Sequence, residues 1–221
     1  MKFEVIVPAY NEARTVAAVV EAALACPLVE RVLVVDDGSR DGTAEAARRA
    51  GAAVHTLRPN QGKSAALSVG AAMCRAEVVA LLDGDLLGLT PGHLEALASP
   101  VLAGQAEMSI GVFHHGRGIT DLSQRLTPFL NGQRVLRRDL LRGLEGAERL
   151  RYAADTILSL YARRTGARVC RVLLPGVTHV MKEEKIGLAR GVWSRLRMFG
   201  QVFLALAAPM PGVHRKRRSR A

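Results

Sequence analysis

The strongest chemical signal in this 221-residue chain is Asp83-Gly84-Asp85, which follows the apolar run 78–82 without an intervening polar residue. Two carboxylates one glycine apart suit a hard divalent cation. Mg2+ and Mn2+ favour carboxylate oxygen and keep part of their shell for phosphate. Gly84 permits a sharp turn and close approach by a ligand. A second carboxylate pair, Asp36-Asp37, ends the apolar run 32–35 and is followed by Gly38 and Ser39. A third, shorter run, 5–7, stops at Pro8-Ala9-Tyr10-Asn11-Glu12. In an open parallel sheet, ligands bind beyond the carboxyl ends of the strands, so these three ends are expected on one rim. Asp36, Asp37, Asp83 and Asp85 together would repel and raise one another's pKa unless a cation sat among them. The spacing therefore predicts bound Mg2+ or Mn2+ and a nucleotide diphosphate.

Positioning these residues requires strands that alternate with helices. Apolar runs predict strands over 3–10, 31–37 and 52–58, one ending at Asp83, and further strands over 106–113 and 167–176. Helical patterns occupy 12–26 (with Asn11 as its cap), 44–51 (ended by Gly51) and 60–76. Thr90 and Pro91 read as N-cap and first position of the next helix. Two more helices are expected near 133–142 and 152–165, and a polar loop at 114–121. The alternation predicts an α/β fold: a Rossmann-like, mostly parallel sheet flanked by helices. With 49% hydrophobic and 23% charged residues, the length suits one such domain.

Several classes are set aside by the sequence. No apolar run reaches the ~18 residues of a membrane-spanning helix. The start MKFEVIV lacks the apolar core of a leader, so a cytoplasmic protein is expected, at most peripheral at the inner face of the membrane. Cys26, Cys74 and Cys170 match no zinc or disulfide spacing and read as reduced thiols. "NQGKSAAL" lacks the GxxxxGK[ST] of a phosphate loop, because Leu57 stands five residues before Gly62. Lys63, at a helix entrance, can still reach a phosphate or the acidic rim. The net charge of +11 is concentrated beyond residue 181, where ten Lys and Arg face Glu183 and Glu184. With aromatics at only 4% and no base-stacking module, this charge does not indicate a nucleic-acid partner.

The segments "VIVPAYNE", "VLVVDDGSRDGT", "NQGKSAAL" and "LLDGDL", in that order and spacing, resemble the family 2 glycosyltransferases of GT-A fold. The resemblance covers residues 4 to about 87. It implies a nucleoside-diphospho-sugar donor and a divalent metal that bridges the diphosphate to the Asp-x-Asp motif. It also implies roles for matching positions. Pro8, Ala9, Tyr10 and Glu12 would line the nucleobase and ribose pocket. Asp36 would accept a hydrogen bond from the base, beside Gly38 and Ser39, and Lys63 would border base or diphosphate. Asp83, with Gly84, would contact ribose or metal-bound water, and Asp85 would ligate the metal. A late histidine supplies a further ligand in related enzymes; His179 is the candidate, with His114 and His115 competing.

In the second half, "LNGQRVLRRDLL" resembles an acceptor-side element of polyprenyl-phosphate sugar synthases and glucosyl-3-phosphoglycerate synthases. Arg134 would hold an anionic acceptor through paired hydrogen bonds, with Arg137 and Arg138 as alternatives on a solvated face. Asp155, near a helix start, is the candidate general base of an inverting transfer, or else simply complements the helix dipole. Residues 1–181 would form the GT-A domain and 182–221 a basic amphipathic helical tail. That tail suits a helix in the interface of an anionic membrane, near a polyprenyl-phosphate or other phosphate-bearing acceptor. The other reading is a contact with the domain or with a second copy in a homodimer. A sugar-phosphate nucleotidyltransferase shares the layout but opens with a Gly-rich signature where this chain has PAYNE. A non-catalytic sugar-nucleotide-binding protein would use the same aspartates without turnover.

Overall fold

A computed structural model describes residues 1–114, 132–146, 151 and 153–179. Residues 115–131, which take in most of the polar loop expected at 114–121, and residues 182–221 therefore lie outside the described residues, as do the side chains of His114 and His115. In chain order the elements are β1 (Phe3–Ala9), α1 (Val16–Leu24), β2 (Val29–Asp36), α2 (Thr43–Arg49), β3 (Ala53–Thr56) and α3 (Lys63–Met73). Then follow β4 (Val78–Leu81), β5 (Leu86–Leu87), α4 (Pro91–Leu102), β6 (Met108–His114) and β7 (Arg134–Arg137). A 3-10 helix (Arg138–Leu144), α5 (Ala154–Thr165), β8 (Val169–Pro175) and β9 (Thr178–His179) complete the described chain.

Seven strands form one sheet in the order β3-β2-β1-β4-β7-β6-β8, and β5 pairs with β9 in a separate ribbon. The β1–β2, β1–β4, β2–β3 and β6–β8 pairs are parallel. Only β7 runs against its neighbours β4 and β6. The expected mostly parallel, helix-flanked sheet is thus present.

Both faces of the sheet are covered over its central strands, which is why β1, β2 and β4 read as nearly unbroken apolar runs, whereas the edge strand β8 is largely exposed. All seven residues of β1 are buried. Val5 and Val7 pack toward α1 and α4, whereas Ile6 packs with Leu67 of α3 and Leu158 of α5. In α1 the buried Val16, Val19, Val20 and Ala23 recur at helical spacing and give it one core face. Each of the three valines contributes roughly 1.5–3 kcal/mol on burial. Among the described residues no helix is long and apolar enough to cross a membrane.

Two local expectations are corrected. Asn11 does not cap α1, which begins at Val16; it adopts a left-handed conformation at φ 54°. Its amide donates to Ser39 Oγ and its side-chain oxygen accepts from the Arg40 amide, so Asn11 staples the PAYNE turn to the next loop. The helix expected over 133–142 is instead strand β7 followed by the 3-10 helix. Val135, Leu136, Leu140 and Leu141 have helical spacing, but a short buried run carries no unique period, and the gap between β4 and β6 requires a strand. The Thr90 cap and the Pro91 start of α4 are as expected.

Candidate functional site

The site lies where β1, β2 and β4 end. Pro8 and Ala9 end β1 and are buried, and beyond them Tyr10 is exposed and Glu12 is half-buried. The Glu12 amide donates to Thr43 Oγ1 at 2.8 Å, which binds this turn to the start of α2. A Cβ at Gly84 would collide with the Glu12 carboxylate and crowd Ala9 Cβ at 3.3 Å, so glycine lets the Asp-x-Asp turn lie against the PAYNE turn without displacing Glu12. Thr15 fastens the same contact by donating its hydroxyl to the Gly84 carbonyl at 2.8 Å. Donor-side residues far apart in sequence are thereby locked together.

Beyond β2 the two aspartates have separate tasks. Asp36 is buried, and its Oδ1 accepts the Ser39 amide at 3.1 Å, which shapes the turn carrying Gly38 and Ser39. Asp37 accepts the amides of Gln61 and Gly62, each at 2.7 Å, and the Asn60 side chain at 2.7 Å. It holds the Gly-rich turn that opens α3. The expected cluster of four repelling carboxylates is therefore narrower, because the Asp37 oxygens are already occupied by the Asn60, Gln61 and Gly62 donors.

Lys63, the first residue of α3, is delivered by that turn. Its Nζ bonds Asp83 Oδ1 at 2.7 Å and Asp155 Oδ2 at 2.8 Å. Burial alone would favour the neutral amine, but the charges of Asp155 and Asp83 reverse this and raise its pKa above the ordinary lysine value. Burial likewise works to raise Asp83, yet Lys63, His179 and the Gln133 hydrogen bond bring it down to about 2. Asp83 is thus an anion across the physiological range.

The metal-side residues meet through the small ribbon. Leu86 of β5 pairs with His179 of β9, which sets the imidazole beside Asp85, with Nδ1 3.1 Å from Oδ1. Phe113 packs edge-on against the His179 ring at 5.0 Å between centroids. Asp83, Asp85 and His179 each present one ligand atom within 4.8 Å of the others. Two carboxylates and an imidazole, all half-buried, fit a divalent ion that leaves positions for phosphate.

The second-half residues depart from expectation. Arg134, expected to hold an acceptor anion, is fully buried. Its guanidinium donates to the Asp155 carbonyl at 3.1 Å and to Ser159 Oγ at 3.3 Å, and lies 3.5 Å from Asp155 Oδ1. Burial lowers its pKa, opposed by Asp155 and Asp83. It faces α5 because β7 is an interior strand rather than an exposed helix. Arg137 pairs with Asp139 at an exposed position, and Arg138 reaches the Cys74 carbonyl, away from the strand ends that carry the site. Asp155 sits in the first turn of α5 as expected, but between Lys63 and Arg134.

Residues 4–158 match the family model for glycosyl transferase family 2. The chain belongs to this family. Among its relatives, glucosyl-3-phosphoglycerate synthase of Mycolicibacterium smegmatis is 35% identical over 107 residues, covering 44% of this chain and 35% of the relative. Dodecaprenyl-phosphate galacturonate synthase of Rhizobium johnstonii is 30% identical over 121 residues, covering 50% of this chain and 36% of the relative. Each match thus spans little more than a third of the curated relative's length. The solved glucosyl-3-phosphoglycerate synthase of Mycobacterium tuberculosis, in complex with Mn2+ and uridine-diphosphate-glucose, superimposes with a TM-score of 0.73. That match has 23% identity and covers 96% of this chain and 81% of the other. The likeness shows the fold, the GT-A arrangement expected from the motifs.

Within this family 2 chain, sequence reasoning missed Gln133 and Gly132, which stand against Asp83, and Thr15, which pins Gly84. Gln133 immediately precedes Arg134, but nothing in its spacing identifies Asp83 as its partner.

Proposed function

We propose that this chain is a metal-dependent glycosyltransferase that moves a sugar from a nucleoside-diphospho-sugar to a phosphate-bearing acceptor. The observation that carries this reading is the meeting of Asp83, Asp85 and His179 beside the PAYNE and DDGS turns. Asp85 and His179 would hold Mg2+ or Mn2+, with Asp83 beside them. A bound ion would supply charge neutralisation for the departing diphosphate. Pro8, Ala9, Tyr10, Glu12, Asp36, Gly38 and Ser39 would form the nucleoside pocket, with the exposed Tyr10 ring available to a base. Lys63, held as a cation by two carboxylates, lies where a second positive charge would meet the diphosphate.

The geometry supports Asp155 as the anion that orients Lys63 and Arg134, in place of the expected general base. Asp155→Asn keeps the shape but removes the charge. A base predicts a loss confined to kcat; an orienting anion predicts that donor KM rises as well. Acceptor chemistry is drawn from the relatives, a glucosyl-3-phosphoglycerate synthase and a dodecaprenyl-phosphate galacturonate synthase, whose names carry phosphate-bearing groups. Incubation with radiolabelled UDP-glucose, Mn2+ and either 3-phosphoglycerate or a polyprenyl phosphate tests it; transfer to neither would refute this acceptor class. For the tail 182–221, interfacial contact with an anionic membrane is supported by its ten basic residues and apolar stripe. Salt-sensitive sedimentation with phosphatidylglycerol vesicles is the expected result, and no sedimentation would remove this part.

A further inference from the structure

Three consecutive residues at the entrance to β7 point toward the acidic groups of the site. Arg134 meets Asp155, whereas Gly132 and Gln133 meet Asp83. Gln133 is fully buried, and its Nε2 donates to Asp83 Oδ2 at 2.8 Å. A Cβ added to Gly132 would stand 2.7 Å from Asp83 Oδ1 and 2.7 Å from Lys63 Nζ, so a side chain here would displace one or both of these groups. We propose that Gln133, seated by Gly132, is a positioning residue that fixes the Asp83 carboxylate relative to Asp85 and His179, and so sets the divalent-cation affinity of the site. The inference rests on the reading of these three residues as a metal site.

The two oxygens of Asp83 are held from opposite elements, Oδ1 by Lys63 of α3 and Oδ2 by Gln133 beside β7. A carboxylate torsion is broad when unrestrained, so one contact leaves the plane free to swing and two contacts fix it. Lys63 is an imperfect anchor alone, because it is shared with Asp155. Gln133 is itself fixed, since its backbone carbonyl accepts the Gly111 amide of β6 at 2.8 Å. Its Oε1 is buried and meets no hydrogen-bond donor among the described residues. A buried carbonyl without a donor is unfavourable, and an apolar side chain of equal size would avoid it. What the amide supplies in return is the Nε2 bond to Asp83. Groups that orient metal-site residues in this way typically change metal affinity 10–100-fold when removed.

The test uses the full chain with uridine diphosphate present and follows free Mn2+ by electron paramagnetic resonance. Gln133→Met preserves volume and removes the donor. The expected result is a Mn2+ Kd raised about tenfold with the melting temperature unchanged or higher. Unchanged Mn2+ affinity overturns the proposal. Should that variant melt early, Gly132→Ala probes the same placement by pushing on Asp83 from the backbone side; it too should weaken Mn2+ about tenfold, and an unaltered Kd again overturns the proposal. A wild-type chain that binds no Mn2+ under these conditions brings down the metal-site reading and this inference with it. Wild-type binding matched by both variants overturns the inference alone.

Discussion

Asp36-Asp37 and Asp83-Gly84-Asp85 look alike as sequence, each a pair of carboxylates after an apolar run, yet they are held by different kinds of partner. The oxygens of Asp37 are taken by the amides of Gln61 and Gly62 and by Asn60, all within one turn. Those of Asp83 and Asp85 face side chains from α3, the entrance to β7, and β9. A carboxylate bonded to main-chain amides builds a loop. One bonded to movable charged or imidazole groups, and half-exposed, can exchange those partners for a ligand. The contrast divides the rim into a scaffold and a working surface.

The largest effect should come from the working surface. Asp85→Asn is expected to lower kcat/KM on the order of 10³-fold, with little change in melting temperature. A variant that melts instead of losing activity would erase the distinction. Asp37→Ala should do the opposite first. It strands buried amide donors at Gln61 and Gly62 and should cost about 3 kcal/mol in urea denaturation, with activity falling only as the Lys63 turn loosens. Lys63→Met touches both sides. Removal of the cation shared by Asp83 and Asp155 should reduce kcat/KM on the order of 10²-fold, measured at saturating Mn2+.

The smallest expected effect lies at the far end of the sheet. Burial would raise the Glu4 carboxyl, but the Ala76 and Arg75 amides, the Cys74 thiol and Arg31 outweigh it and hold Glu4 below its ordinary 4.5. A depressed folded value contributes stability that is present above the unfolded pKa and lost as pH falls through the folded one. Acid unfolding of wild type should therefore steepen below about pH 4.5, and Glu4→Gln should flatten that dependence by about 1 kcal/mol. Mn2+ affinity at neutral pH should not change, since Glu4 is bonded to amides in the manner of Asp37.

The parallel half was readable because each strand end combines a buried run with turn chemistry, and residues 4–87 hold four motifs in order. Tyr10, Ser39, Lys63 and Asp85 accordingly lie along one rim. The second half was not readable for a physical reason. β7 is a four-residue strand clamped on both sides by antiparallel neighbours, and its identity depends on those neighbours rather than on its own periodicity. Reading it as a helix placed Arg134 on the surface and hid Gln133 altogether. His179 is only a candidate ligand through resemblance, with His114 and His115 competing, because the ribbon that delivers it is only two residues long on each side. No pattern of that length rises above chance.

The central claim is that Asp85 and His179, with Asp83 beside them, hold a divalent ion that in turn grips a nucleotide diphosphate. Calorimetric titration of the full chain with a panel of nucleoside-diphospho-sugars, with Mn2+ and with chelator, tests it most directly. At least one donor should bind with Mn2+ present, lose most of that affinity with chelator, and lose it equally in Asp85→Asn. Donor binding that is indifferent to Mn2+ and to Asp85→Asn, or no donor binding at all, would contradict the account.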